Sequence, residues 1–215
     1  NETFSEWQKQ GLDEKWTADK LYDYYGLDTL VQAWINHRMP GFPEPKEHGH
    51  EIMQDEHDYE HLKKMMFSEE YMHQCMQYFK SIKSQHEAGH FALWYTIEGF
   101  FWFPRTLFGI ENHLYAFYDY PELMHRINQD QTDYMLMFLE EMYKVVTPDF
   151  MTFAEDMSYN HGPMLSKDCY DEFIKPYYRE IIPFIKSKGT KVFIDTDGDV
   201  EPLIPWFQEA GIEGV

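Results

Sequence analysis

Cysteine is scarce. Only Cys75 and Cys169 occur in 215 residues, and their separation fits no metal-ligand spacing. This argues against a disulfide framework and favours a reducing compartment, so a cytoplasmic protein is expected. Bases are also few, 18 against 38 acids, which leaves a formal net charge of −20. Such a balance speaks against a nucleic-acid backbone or an anionic membrane surface as partner. No apolar run approaches the length of a membrane span, and no signal peptide or internal repeat is visible. The chain has no initiator methionine and stops at Gly214-Val215, straight after a helix-like segment. A fragment, incomplete at both ends, is therefore expected.

What is present suits one α/β domain. Apolar residues make up 43% of the chain and aromatic residues 18%, enough for a sizeable core. Residues 1 to 67 read as an irregular N-terminal part, with short helical pieces stopped at Gly11 and Gly26 and a breaker run from Pro40 to Pro45. The stretch from His48 to Lys64 holds His48, His50, His57 and His61 among acids. Its spacings fit no standard metal site, and a solvated loop or edge hairpin is the preferred reading. From residue 68 on, strands and helices alternate. Ser68 caps a helix striped by Met72, Met76 and Phe79. Phe91, Leu93, Tyr95 and Ile97 alternate as a strand, and Pro121 opens a long helix that closes at Thr147-Pro148. Phe150 to Ala154 is a second strand. Ser166 caps a helix that Pro176 and Pro183 should kink or segment. Lys191 to Asp195 is a third strand, followed by a helix and the start of another strand at Ile212. Such alternation builds a parallel sheet through right-handed crossovers, and an α/β barrel is the leading architecture.

All carboxyl ends of a parallel sheet face one way, and ligands sit there. Three strand ends here carry acids: Glu98, then Glu155 and Asp156, then Asp195 and Asp197. Carboxylates gathered at one rim must bind a cation, share protons or accept hydrogen bonds from a ligand. Asp199, by contrast, reads as a helix cap. Tyr159 and His161 lie in the loop after Asp156. His161 could be a base, a ligand or a surface residue. Arg105 could clamp a ligand carboxylate or pair with a surface acid, and Phe100, Trp102 and Phe103 could form an apolar wall or pack in the core.

The ordered set Ala154-Glu155-Asp156-Met157-Ser158-Tyr159, Gly162-Pro163-Met164-Leu165-Ser166 and Phe173-Ile174-Lys175-Pro176-Tyr177-Tyr178 resembles the core signature of the uroporphyrinogen decarboxylase superfamily. Phe103 to Gly109, Tyr120 to Leu123 and Phe193 to Val215 are similar to its other units, so the likeness runs from about Gly99 to the end. The resemblance implies a (β/α)8 TIM barrel with its pocket at the C-terminal face. A whole barrel needs about 250 residues, so the resemblance implies a further C-terminal portion. The superfamily contains porphyrinogen decarboxylases, which need no cofactor, and corrinoid- or thiol-directed methyltransferases. The arginine-bearing N-terminal signature of the decarboxylases does not appear, and Trp7 to Leu12 is closer to the methyltransferase-like branch. Zinc enzymes of that branch carry His-x-Cys-Gly where this chain has Asp195-Thr196-Asp197-Gly198, which favours a harder divalent cation.

The resulting expectation is a methyltransferase-like enzyme working at a carboxylate-lined pocket. Asp156, Tyr159 and His161 are the catalytic candidates. Glu98, Phe100, Trp102 and Arg105 would bind substrate, and Glu155, Asp195 and Asp197 would hold a divalent metal ion. Small-molecule substrates (a tetrapyrrole, or a methyl donor or acceptor), a corrinoid protein and a second copy of the chain are the expected partners. The alternatives are a tetrapyrrole carboxy-lyase and a non-catalytic small-molecule or corrinoid-partner binding protein.

Overall fold

Four parallel strands carry the molecule, seen in a computed structural model that describes residues 2–13 and 15–215. They are β1 (Leu30–Ile35), β2 (Ala92–Glu98), β3 (Phe150–Ala154) and β6 (Lys191–Asp195), hydrogen-bonded in that order. Helices α1 (Glu2–Lys9) and α2 (Ala18–Tyr25) precede the sheet. Helix α3 (Glu56–Lys63) and the long α4 (Glu69–Glu87) link β1 to β2. Helices α5 (Trp102–Phe108), α6 (Ile110–Asp119) and α7 (Pro121–Val145) link β2 to β3. A two-stranded hairpin, β4 (Ser158–Tyr159) with β5 (Gly162–Pro163), then leads into α8 (Lys167–Phe173) and α9 (Lys175–Ser187). After β6 a 3-10 turn, Glu201–Leu203, runs into α10 (Ile204–Ala210). Gly214 then bridges in parallel to Phe193. The strand order follows the sequence order, and α7 packs between α4 and α9 on one face. This is the strand–helix succession of a (β/α)8 barrel, of which the chain forms a part. Among the described residues no helix is long and apolar enough to cross a membrane.

Alternation within each strand sorts the two faces. Leu93, Tyr95 and Ile97 of β2, Met151 and Phe153 of β3, and Val192 and Ile194 of β6 are buried against the helices. Their neighbours Thr96 and Thr152 point the other way, bonded to each other at 2.8 Å, with the Gln32 amide donating to Thr96 at 2.9 Å. Helix α7 closes the outer layer with Ile127, Met135, Phe138 and Met142, all fully buried.

Three features differ from the sequence reading. The N-terminal part is not irregular throughout, because β1 lies in it and pairs in register with β2 from Leu30↔Ala92 to Ile35↔Ile97. Residues 56–63 are a helix rather than a loop or hairpin. The Asp55 side chain caps α3 by accepting from the Asp58 N–H at 3.1 Å, while Tyr59 and Leu62 supply the buried anchors. Pro183 sits inside α9 without breaking it. Its ring faces outward, and the break falls at Ile174, before Pro176 in the first turn of α9.

Two histidines are sealed in this core with no hydrogen-bond partner on either ring nitrogen, His37 and His113. His113 lies edge-on to Phe101 at 4.6 Å, and burial followed by the charge of Arg105 lowers it to about 3. Both remain neutral when folded but protonate near 6.5 once unfolded, so the unfolded chain binds more protons below that pH. Stability is therefore lost as pH falls from about 6.5, at about 1.4 kcal/mol per pH unit per histidine. The variant His113→Phe is expected to show a shallower acid loss than wild type in urea titrations between pH 6.5 and 5.

Candidate active site at the strand ends

Register brings the last inward-facing residues of three strands into one row. Glu98 pairs with Ala154, and Ala154 with Asp195. The short alanine side chain leaves room between the two acids. Beyond the row the chain continues the ladder, with Gly99 N–H donating to Ala154 O at 2.8 Å and Glu155 N–H to Asp195 O at 2.9 Å. These ends open into a cleft of about 880 Å³, where Glu98, Trp102, Arg105, Asp156 and Asp195 meet residues 34–50.

Each wall has a physical cause. Glu98, only 5% exposed, is held by Arg38 at 2.8 Å, and its other oxygen lies 3.5 Å from His37 Nε2. Arg38 also donates to Thr106 Oγ1 at 2.5 Å and lies over Phe42 and Phe103, each at 5.6 Å. Arg105 lies over the Trp102 ring at 5.0 Å and donates to the Asp156 carbonyl at 3.0 Å. Asp156 itself has φ 43°, a left-handed conformation that side chains other than glycine rarely adopt, and it is half-buried in the cleft. Burial raises its carboxyl above the usual range. Asp197 and Asp195 add repulsion, against the opposing pull of Arg105.

Five of the ten candidate residues thus come together in the cleft: Glu98, Trp102, Arg105, Asp156 and Asp195. The structure does not bring the other five there. Phe100 is buried among Phe153, Tyr177 and Tyr178. Glu155 is also buried, on the helix-facing side of the sheet. Its carboxylate accepts the N–H groups of Phe100 at 2.8 Å and of Phe101 and Trp102 at 2.9 Å, together with the Tyr178 hydroxyl. Burial pushes it up to about 7, against the lowering pull of those four donors. Tyr159 and His161 are exposed on the β4–β5 hairpin. That hairpin is tied to the strand-end loop by Asp199 N–H to Tyr159 O at 2.9 Å and by the Ser158 hydroxyl to Asp197 O. Asp197 is exposed on the same loop and acts on Asp156 through its charge, which raises the Asp156 carboxyl, and through its backbone N–H, which lowers it.

The expected metal set is not assembled. Glu155 has its oxygens occupied by donors, and no trio containing Asp195 or Asp197 lies within common ligand distance among the described residues. The one such group there is Asp55, His57 and Asp58, away from the cleft.

Arg38 is a charged cleft residue that the sequence reading missed. The signal available was the alternation of Leu30 to Ile35, which runs into Asn36-His37-Arg38 ahead of the breaker at Pro40. Replacing Arg38 by methionine strands the buried Glu98 charge and is expected to cost about 2 kcal/mol. Chemical denaturation should show the double variant Arg38→Met with Glu98→Gln regaining at least half of that loss.

Parallel strands whose carboxyl ends share one acidic, aromatic-walled cleft define a protein of the α/β-barrel class. The sequence pattern of the uroporphyrinogen decarboxylase (URO-D) family matches residues 49–215, and the chain belongs to that family. Among solved structures, a methyltransferase from Methanosarcina mazei superimposes with a TM-score of 0.59 at 12% sequence identity, over 91% of this chain and 59% of that one. The chain thus spans about three fifths of the length of that protein, and the likeness is one of fold. No curated protein matches the chain.

Proposed function

We propose that the cleft is a methyltransferase-like active site for a small molecule, in which Asp156 is the proton donor. One observation carries this reading: a half-buried carboxyl, raised above its usual range, turned into the cleft by a left-handed backbone and set beside a guanidinium. A heteroatom that gives up a methyl group gains electron density as the bond breaks, and a proton delivered at that moment lowers the barrier. A carboxyl that keeps its proton to higher pH is suited to that task. Trp102 and Arg105 would wall the substrate, and Glu98 with Arg38 would orient its polar groups. A methyl carrier such as a corrinoid protein is the partner this chemistry calls for.

A second reading, decarboxylation of a porphyrinogen-like tetrapyrrole, is favoured by the presence of two arginines, Arg38 and Arg105, in the same cleft as the acids. Mass spectrometry of paired incubations separates the two. One uses methylated amines, ethers and thioethers with a thiol or corrinoid acceptor, and the other uses a porphyrinogen. Methylated acceptor supports the first reading. Loss of carbon dioxide from the porphyrinogen, with no methylated acceptor, overturns it.

A further inference from the structure

The buried Glu155 is the most heavily bonded side chain near the cleft, yet it does not face the cleft. Its surroundings explain why it is there. Helix α5 begins at Trp102 without a capping side chain of its own, since Gly99-Phe100-Phe101 offers none. The first free N–H groups of the helix therefore need an acceptor from elsewhere. Glu155 supplies it across the sheet, bonding three successive N–H groups at 2.8 to 2.9 Å. The carbonyls of the same turn are held from the other side, Glu98 O by Gln131 at 2.5 Å and Phe100 O by Asn128 at 3.0 Å. One turn along α5, Arg105 returns to the backbone carbonyl of Asp156, the residue after Glu155. The ring is closed: the Glu155 side chain holds the start of α5, and α5 holds Asp156. Tyr178, kept in its hydroxyl form by burial and by the Glu155 charge, secures the carboxylate from α9.

We propose that Glu155 is the positioning residue of the cleft, fixing through α5 where Trp102 and Arg105 stand relative to Asp156. The backbone reversal at Asp156 divides the labour between neighbours, one carboxyl turned into the core as an anchor and the next turned out to the substrate. The inference rests on the reading of Asp156 as the working group, but its main test needs no substrate. In the Glu155→Gln variant, the amides of Phe100 to Trp102 should exchange with solvent at least about tenfold faster than in wild type, as a loss of roughly 1.4 kcal/mol in local protection implies. In the same folded sample, nuclear magnetic resonance should show the Trp102 indole, Arg105 guanidinium and Asp156 carboxyl signals displaced. Methyl-transfer turnover should fall while KM stays within about twofold, as expected for a group that orders the reacting geometry without touching substrate.

Should Glu155→Gln not fold, Tyr178→Phe removes one of the four donors, leaves the carboxylate, and should displace the same three signals by a smaller amount. If either folded variant keeps those signals at their wild-type positions and loses only unfolding midpoint, Glu155 is a core cap and the proposal is overturned. Displaced signals in a protein whose wild type transfers no methyl group would uphold the positioning role and overturn the functional reading instead.

Discussion

Replacing Gly99 with alanine should leave little folded protein. A Cβ built there meets the Glu155 carboxyl carbon at 2.0 Å, its Oε1 at 2.2 Å and its Cγ at 2.5 Å. The obstacle is not a flexible tip, because both oxygens are engaged by backbone N–H groups and the side chain is buried. Relief has to come from moving Glu155, which strands three N–H donors at the start of α5, or from moving the ends of β2 and β3 apart. Overpacking alone costs about 1–3 kcal/mol. Each buried donor left without a partner adds about 1–3 kcal/mol. The total rivals the whole stability of an ordinary domain. Urea denaturation followed by circular dichroism is the check, and a midpoint within 0.5 M of wild type would contradict the fit described for this turn. Gly99 does not need positive φ, so the requirement is one of space alone.

Asp156→Asn is expected to cut turnover by about 10²–10⁴, the usual contribution of a positioned general acid. Folding should be nearly unaffected, because asparagine tolerates the left-handed φ of 43° and the Arg105 bond goes to the backbone carbonyl rather than the side chain. The pH dependence has a definite sign. A general acid works in its protonated form, so wild-type turnover should decline as pH rises through the raised carboxyl pKa. In Asp156→Asn that decline should be absent and the residual rate flat. A kcat against pH profile of both proteins tests this, and an unchanged alkaline decline in the variant would assign the acid to another residue.

How far the sequence is legible depends on which contacts are local. Strands β2, β3 and β6 are readable because their apolar residues alternate and then stop in acids. Strand β1 is harder to read, since Leu30 and Trp34 put apolar residues on the same face as Gln32 and blur the alternation, and it ends in Asn36-His37-Arg38. Topology brings Glu98, Asp156 and Asp195 to one rim, as the strand order requires. Glu155 could have been separated from them by parity. It follows Met151 and Phe153 at two-residue steps, so it belongs to the helix face. Phe100 is lost to the core because it lies in the capping turn rather than on α5. Nothing local betrays the fate of Tyr159 and His161. Their hairpin is held off the cleft by docking on Gly198, where a Cβ would lie 2.7 Å from the Tyr159 backbone.

The register of the sheet also bears on how the chain is made. Each strand pair joins segments roughly 40 to 60 residues apart, so no pairing is cheap in loop entropy. Yet each new strand needs only the edge left by the one before it. On the ribosome β2 can dock as soon as α4 has emerged, β3 after α7, and β6 after α9, without waiting for anything downstream. Assembly by successive edge addition leaves two outer edges of the sheet without a strand partner at every stage, that of β1 and that of the newest strand. The stretch that follows Gly211 covers part of the β6 edge, bridging to Phe193 through Gly214.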